Sequence, residues 1–352
     1  MILSSEEIEK RVADSYELPN EVLKEVPEPM VSIRTSTYNH GPYIKQCIEG
    51  VLMQKTSFPI EYIIGEDFST DETREIVFEY AKKYPQIIRV VTADYNVGSK
   101  ANGQRCIRRC RGKYMAICEG DDYWIDPLKL QKQVDFLENH SEYGMCYSNF
   151  NIYQQEQRRM ICDVYNSLSK QFPKKYSLKD FIYNKGFVCP PSWLFKKNIY
   201  DDFRVDIKSL DTSFLLFAYF LHETEVYCIS DITTVYRIHN ASISHQKSYT
   251  AVYNRRKSLL ESQLYLIDKY SLDNSLRDRC INKYYSINIP LFVIHRQWDD
   301  LETAKHVLKR MTLYTRCCYA LGNTYIGHLF FVFMYRVYKL FRLICVKLFL
   351  PI

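Results

Sequence analysis

The stretch Glu119-Gly120-Asp121-Asp122 sets three carboxylates around one glycine, directly after the apolar run ending at Cys118. Clustered like charges repel, so such a group marks a solvated turn, a helix start or a cation site. If the strand Lys113–Cys118 continues extended, Glu119 and Asp121 project to one side, and Gly120 lets a ligand approach the backbone. Two carboxylates at an open strand end suit Mg²⁺ or Mn²⁺, hard cations that take oxygen ligands and keep positions free for phosphates. A metal there would offset the charge of a departing diphosphate. An acidic turn explains the same residues, and this stretch alone does not choose between them.

The elements that must position these side chains decide more. Val31-Ser32-Ile33 opens a strand that runs to Tyr38-Asn39, and Gly41-Pro42 starts a helix carrying Ile44, Cys47, Ile48, Val51 and Leu52 at helical spacing. Ile60–Ile64 is a second strand, ending at Glu66-Asp67. Ser69-Thr70-Asp71-Glu72 fits a capping box for a helix from Asp71 to Lys83. Ile87–Ala93 is a third strand, Asn102–Arg111 a helix, and Lys113–Cys118 a fourth strand. Asp126-Pro127 caps a helix with Leu130, Val134 and Leu137 on one face.

Strand and helix alternate, which predicts an α/β fold with a mostly parallel sheet between helices. Ligands of such sheets bind at the carboxyl ends of strands. The polar clusters at 35–39, 66–71 and 119–122 all fall at such ends. Further along, 187–195 and 224–239 read as strand-like and 211–221 as helical; 258–270 and 301–314 also read as helices.

The bulk numbers fit an ordinary globular chain: 352 residues, 47% hydrophobic and 25% charged. Met1–Met30 is acidic and has no apolar core of a secretory signal, so the 12 Cys read as free thiols of a reducing cytosol. Cys106 and Cys110 have no matching Cys/His pair at zinc-finger spacing. After Glu302 there is no Asp or Glu, while eight Lys and Arg follow; among them Arg336, Lys339, Arg342 and Lys347 interrupt an apolar run from Tyr325 to Leu350. That pattern predicts a basic amphipathic helix lying on an anionic membrane surface, with a helix packed on the domain as the alternative. It is too interrupted to span a bilayer. No recognised nucleic-acid motif accompanies the charge.

Taken in order, Val31–Asn39, Glu66–Asp71 and Glu119–Asp122 resemble the three successive signatures of family 2 glycosyltransferases. The resemblance covers roughly residues 29–245. It implies a GT-A-type fold, a nucleotide-sugar donor (a UDP-sugar), a divalent metal (Mn²⁺ or Mg²⁺) and inversion at the anomeric carbon. By the same resemblance Ser36 and Tyr38 line the nucleotide base, although Tyr38 also reads as a core aromatic. Glu66, standing where Asp is usual, and Asp67 hold the base edge. Glu119, again for Asp, takes the ribose side; Asp121 takes the metal and Asp122 supports them.

The family's general base is an acid at a helix start beyond the metal motif. Leu210-Asp211-Thr212 matches it, so Asp211 is the candidate to take the acceptor's proton, compatible with a helix-capping role. Tyr236-Arg237-Ile238-His239 resembles the segment after the last strand, with His239 for the metal or diphosphate and Arg237 for phosphate. Ser192, in Pro190-Pro191-Ser192-Trp193, stands on the acceptor side. Trp124 reads as a sugar platform or as packing for the following helix. Lys100 or Arg105 could supply charge near the diphosphate, or sit on a solvated helix face.

The expected organisation is an N-terminal arm (1–28), the glycosyltransferase domain (29–245), a helical extension (246–320) and the basic C-terminal helix (321–352). The expected setting is cytoplasmic and peripheral at the inner face of the cell membrane, with a glycan or lipid-linked acceptor extending a cell-surface polysaccharide. A non-catalytic member that binds a sugar nucleotide or a partner enzyme is the alternative. A Gly-rich phosphate loop is absent after the first strand, which argues against a nucleotidyltransferase or dehydrogenase.

Overall fold

The computed structural model describes residues 4–20, 22, 28–204, 209, 211–242 and 248–308, with 316, 320, 329, 332 and 333. It divides into two compact units, Met1–Leu259 and Leu260–Ile352. The expected C-terminal helix at 321–352 falls almost wholly outside the described residues. Among the described residues no helix is long and apolar enough to cross a membrane.

The first unit opens with α1 (Ser5–Ala13) and β1 (Tyr16–Glu17). There follow β2 (Val31–Thr37), α2 (Gly41–Leu52), β3 (Ile60–Glu66), α3 (Thr73–Lys83), β4 (Ile88–Thr92), α4 (Ser99–Ile107) and β5 (Tyr114–Ile117). Next come β6 (Tyr123–Trp124), α5 (Lys129–Asn139), β7 (Tyr143–Gln154), β8 (Arg159–Ile161), α6 (Val164–Ser167) and α7 (Leu178–Asn184). After a 3₁₀ turn (Pro190–Ser192) come β9 (Leu194–Lys196), α8 (Lys197–Asp201), α9 (Thr212–Glu223), β10 (Glu225–Ile238) and α10 (Tyr249–Lys269), whose last turns lie in the second unit. That unit adds α11 (Asn274–Ile294) and α12 (Trp298–Val307), joined by a core that includes Ile289, Phe292, Val293, Leu301 and Ala304.

One sheet runs through the first unit in the order β1-β4-β3-β2-β5-β9-β7-β10-β6, with β8 paired to β7. The α/β architecture is the one the alternation predicted. Its parallel ladder is β4-β3-β2-β5, and β7 with β10 is a second parallel pair. Between them β9 is antiparallel to both neighbours. Two reversals restore direction, so β7 and β10 end at the same sheet edge as β2, β3 and β5. The central strands are buried on both faces, as parallel strands between helices must be. Val31, Ile33, Tyr62 and Ile64 pack on Ile44, Cys47, Ile48 and Val51 of α2.

Local signals explain most of the boundaries, and one reading is corrected. Ser69 and Glu72 do not exchange capping bonds: Ser69 Oγ accepts from Asn39 N at 3.0 Å, and Glu72 stands at the N-cap of α3 without a side-chain cap bond. Asp71 Oδ1 accepts from Thr73 N at 3.0 Å and Oδ2 from Gly41 N at 2.9 Å, so one carboxylate serves the first turns of α3 and α2. Asn39 (φ 53°) and Phe68 (φ 60°) sit in the left-handed region, and Asn39 Oδ1 ties the two loops by accepting from Thr70 N at 2.8 Å.

Candidate active site

The acidic motif is a turn, not a continued strand. β5 stops at Ile117, and Asp122 N donates to Glu119 O at 2.9 Å. The extended alternation expected from the sequence therefore does not carry through the motif. Glu119 Oε1 accepts from Arg34 Nη2 at 2.8 Å, and Oε2 from Ser36 N at 3.3 Å. Asp121 Oδ2 meets His239 Nε2 at 3.0 Å. Gly120 lies so close to β2 that a Cβ would come within 2.7 Å of both Thr37 Oγ1 and His40 Nδ1.

β6 delivers the distal partners. Tyr123 pairs with Val235 and Trp124 with Thr234 in an antiparallel ladder, which brings the end of β10 beside the motif. Arg237 N donates to Asp122 Oδ1 at 2.8 Å, and Arg237 Nε to Asp121 O at 2.8 Å. The remaining Arg237 nitrogens donate to Gln155 Oε1 at 2.7 Å and Gln46 Oε1 at 2.5 Å. Its guanidinium lies about 5 Å from the ring centres of Tyr43 and Tyr123. Arg237 thus serves here as a buried clamp on the motif.

Charge in this cluster is set by burial and neighbours. Burial, aided by the negative charge of Asp121, holds the Asp122 carboxyl well above the usual carboxylate range. Burial also opposes the charge of Asp121. The hydrogen bond from His239 and the positive potential of His40 and His239 outweigh it, and its net shift is downward. Burial lowers His40. The ring of His40 meets His239 edge-on at 6.3 Å, and Tyr43 lies 4.7 Å from His239.

The second strand end is fully engaged by protein. Glu66 is buried; Oε1 accepts from Ser69 N at 2.7 Å and Oε2 from Arg74 Nη1 at 3.1 Å. Asp67 accepts from Val97 N at 2.8 Å and Gly98 N at 3.0 Å, and burial raises its pKa despite them. Arg105 lies beneath, donating to Glu66 O at 2.8 Å, with Asp67 Oδ1 at 3.6 Å. It is completely buried, so it lies on no solvated face. Tyr38 is 43% exposed and Phe68 40%. Tyr38 is therefore not a core aromatic.

Asp211 sits where the sequence put it, as the N-cap of α9. Oδ1 accepts from Phe214 N at 3.2 Å, and Oδ2 pairs with Arg255 of α10 at 3.3 Å. The acceptor-side readings of Ser192 and Trp124 are corrected, and Trp124 takes its other reading, packing for the following helix. Trp124 is buried, its indole N–H donates to Pro191 O at 2.8 Å, and Lys129 Nζ covers its ring at 4.3 Å. Ser192 is buried too, its hydroxyl donating to Cys189 O at 2.6 Å. Neither presents a face to a ligand. Sequence reasoning overlooked Arg34, His40, Tyr43, Gln46 and Gln155. Arg34 had a signal: Ser32, Arg34 and Ser36 alternate as polar residues through an apolar strand.

Residues 32–204 match the family described as glycosyl transferase family 2. Those residues form a family 2 glycosyltransferase domain. An uncharacterized protein of Mycobacterium tuberculosis is 32% identical over 237 residues, 64% of this chain and 63% of that protein. The match thus spans less than two thirds of that relative's length. An uncharacterized glycosyltransferase of Methanocaldococcus jannaschii is 27% identical over 239 residues, 64% of this chain and 78% of its own. Among solved structures, S. aureus TarS in complex with UDP superposes with a TM-score of 0.55 at 16% identity, covering 87% of this chain and 91% of that one. That likeness shows the GT-A-type fold. Two of the three strand ends described above, at Glu66–Asp67 and Glu119–Asp122, lie wholly within the matched residues, as does the end of β2.

Proposed function

We propose that this chain transfers a sugar from a nucleoside-diphosphate donor to a glycan or lipid-linked acceptor, inverting the anomeric centre in a single displacement. The observation that carries this reading is the Asp121–His239 pair at 3.0 Å, at the sheet edge where three polar strand ends meet. The UDP and UDP-GlcNAc complexes of TarS support a nucleotide-sugar donor for a chain of this fold.

The donor set fits a divalent cation. One carboxylate and one imidazole converge, and among the described residues no third His, Cys, Asp or Glu completes a cage. That suits Mn²⁺ or Mg²⁺, which leave positions for water and phosphate oxygens. Asp121 and His239 would hold the ion, which when bound supplies positive charge opposite the leaving diphosphate.

The chain's own groups do the rest. Glu119, fixed by Arg34 and Ser36, offers its remaining lone pairs to the ribose hydroxyls. Tyr38 and Phe68 flank the base. Glu66 and Asp67 act by shaping the loops around it, since protein donors already occupy both carboxylates. Asp211 takes the proton of the acceptor hydroxyl as that oxygen bonds to the anomeric carbon, and the bond to the donor's phosphate oxygen breaks. The basic, apolar C-terminus would dock the enzyme on a membrane that presents a lipid-linked acceptor, with the chain on the cytoplasmic face.

Replacing Asp211 with Asn tests the base. Transfer should fall at least a hundredfold while donor binding persists; full transfer by Asp211→Asn would remove Asp211 from the reaction. A binding-only reading is favoured by one observation: Arg34 engages Glu119 and Arg255 engages Asp211. Release of nucleoside diphosphate from a panel of nucleotide sugars with Mn²⁺ separates the two.

A further inference from the structure

The segment before the family match does not hang off the domain as an arm. β1 adds to the sheet edge, with Tyr16 opposite Thr92 and Glu17 opposite Val91. α1 lies against α4, and Ile8 and Val12 share a small core with Ala93, Val97 and Ala101. Both elements precede residue 32, where the family match begins.

What these residues grip is the loop between β4 and α4. Arg11 Nη1 donates to Val97 O at 3.2 Å. Tyr95 donates its hydroxyl to Asp14 Oδ2 at 2.7 Å, and Tyr16 donates to Asp94 Oδ1 at 2.8 Å. From the opposite side Asp67 accepts from Val97 N and Gly98 N, while Asn96 Nδ2 donates to Asp67 O at 3.0 Å. Val97 is thus held at its carbonyl by the N-terminal helix and at its amide by the acid of the second signature. Gly98 turns the chain at φ 87°, a conformation that glycine adopts freely and L side chains rarely do.

A second thread runs underneath. Arg105 Nη1 donates to Ser15 Oγ at 3.2 Å, and Ser15 Oγ donates to Arg11 O at 2.8 Å. Through Nη2 the same guanidinium holds Glu66 O. Arg109 Nη2 donates to Ser15 O at 3.3 Å. The backbone of Glu66 and the loop closed by Asp67 are therefore braced by the same short stretch, Arg11–Ser15.

We propose that this N-terminal stretch is a positioning element of the nucleotide subsite, with Arg11 as its main contact. This rests on the reading of Glu66–Asp67 as the base-side signature. Arg11 touches no substrate. It fixes the Val97 peptide so that the Asp67 carboxylate stays aimed at Val97 and Gly98, and the surface that meets the base is formed before the nucleotide arrives. Loosening the loop makes binding bear the cost of ordering it.

The test measures UDP, GDP and CDP binding with Mn²⁺ by calorimetry, and amide exchange across residues 94–98, in the full chain. Arg11→Ala, Arg11→Lys and Arg108→Ala are compared with wild type. Arg108 pairs with Glu9 across the same two helices but does not touch the loop, so it controls for loss of helix contact alone. Arg11→Ala should speed exchange at Val97 and Gly98 and weaken the bound nucleotide about fivefold, the scale of one hydrogen bond. Arg11→Lys should recover part of both effects, and Arg108→Ala should change neither. Wild-type affinity in Arg11→Ala overturns the inference and leaves the functional reading standing, as does an equal loss in Arg108→Ala. No binding of any of the three nucleotides by the wild-type chain overturns the functional reading and this inference with it.

Discussion

Arg34 and Glu119 form an ion pair at 2.8 Å that ties β2 to the first acid of the Glu119–Asp122 turn. Arg34 is 8% exposed, and no other carboxylate among the described residues pairs with it. Glu119 thus compensates a buried cation as well as facing the site. Glu119→Ala should cost about 2 kcal/mol, less than a fully buried pair because Glu119 is partly open to water. Glu119→Gln keeps a hydrogen-bond acceptor and should cost less. Urea unfolding checks the order; equal stability of wild type and Glu119→Ala would contradict it.

The pair also makes side-chain length at position 119 matter. An Asp at 119 is one methylene shorter and does not reach Arg34 from the same backbone position. Glu119→Asp should therefore weaken nucleotide binding, and a wild-type dissociation constant would show that the longer arm is immaterial.

Gly120 offers a separate test. A Cβ there would lie 2.8 Å from Thr37 Cβ and 2.7 Å from His40 Nδ1, both on rigid groups. Gly120→Ala must push the motif off β2. A stability loss of about 1–3 kcal/mol should accompany a loss of nucleotide affinity of at least tenfold, and unchanged affinity by calorimetry would contradict the close fit.

How much of this was legible in the sequence differs along the chain. From Val31 to Asn139 the parallel strands and their helices were readable, because short apolar runs ended in turn residues and polar clusters. β7 was not read: Tyr, Ser and Asn interrupt its pattern, and its burial comes from neighbours distant in sequence. α11 was missed as well. It carries Pro290 inside, which usually ends a helix, and its apolar residues do not define one face. The site divided the same way. Asp211 and Asp121 carry local signals, a helix start and an acidic strand end. Arg34, His40 and Tyr43 matter through the distant residues they meet, and single-sequence patterns do not encode those meetings. Trp124 left two readings open, sugar platform or packing for the following helix, because an aromatic beside carboxylates looks alike in either role; it packs under Lys129 at the start of α5.

Lys129 gives a pH prediction away from the site. It is fully buried, lies over Trp124, donates to Gln133 Oε1 at 2.7 Å, and has no carboxylate at ion-pair distance among the described residues. Burial lowers its pKa to about 8. The folded value lies below the unfolded one, about 10.4, so the unfolded chain binds a proton that the folded chain does not between those values. Stability from this group therefore rises with pH across that window and is lost as pH falls through about 8. Lys129→Met should be more stable than wild type at pH 7, by about 2 kcal/mol after allowing for the lost cation–π contact. The gain should shrink toward zero by about pH 10.5. Thermal unfolding across pH checks it, and a destabilised variant at pH 7 would contradict the account.

The central claim is that Asp121, with His239, holds a divalent cation that binds the donor's diphosphate. It is tested most directly by titrating wild type and Asp121→Ala with UDP, with and without Mn²⁺, by calorimetry. The account predicts Mn²⁺-dependent binding by the wild-type chain and its loss in Asp121→Ala. Mn²⁺-dependent binding of equal strength in both proteins would contradict it.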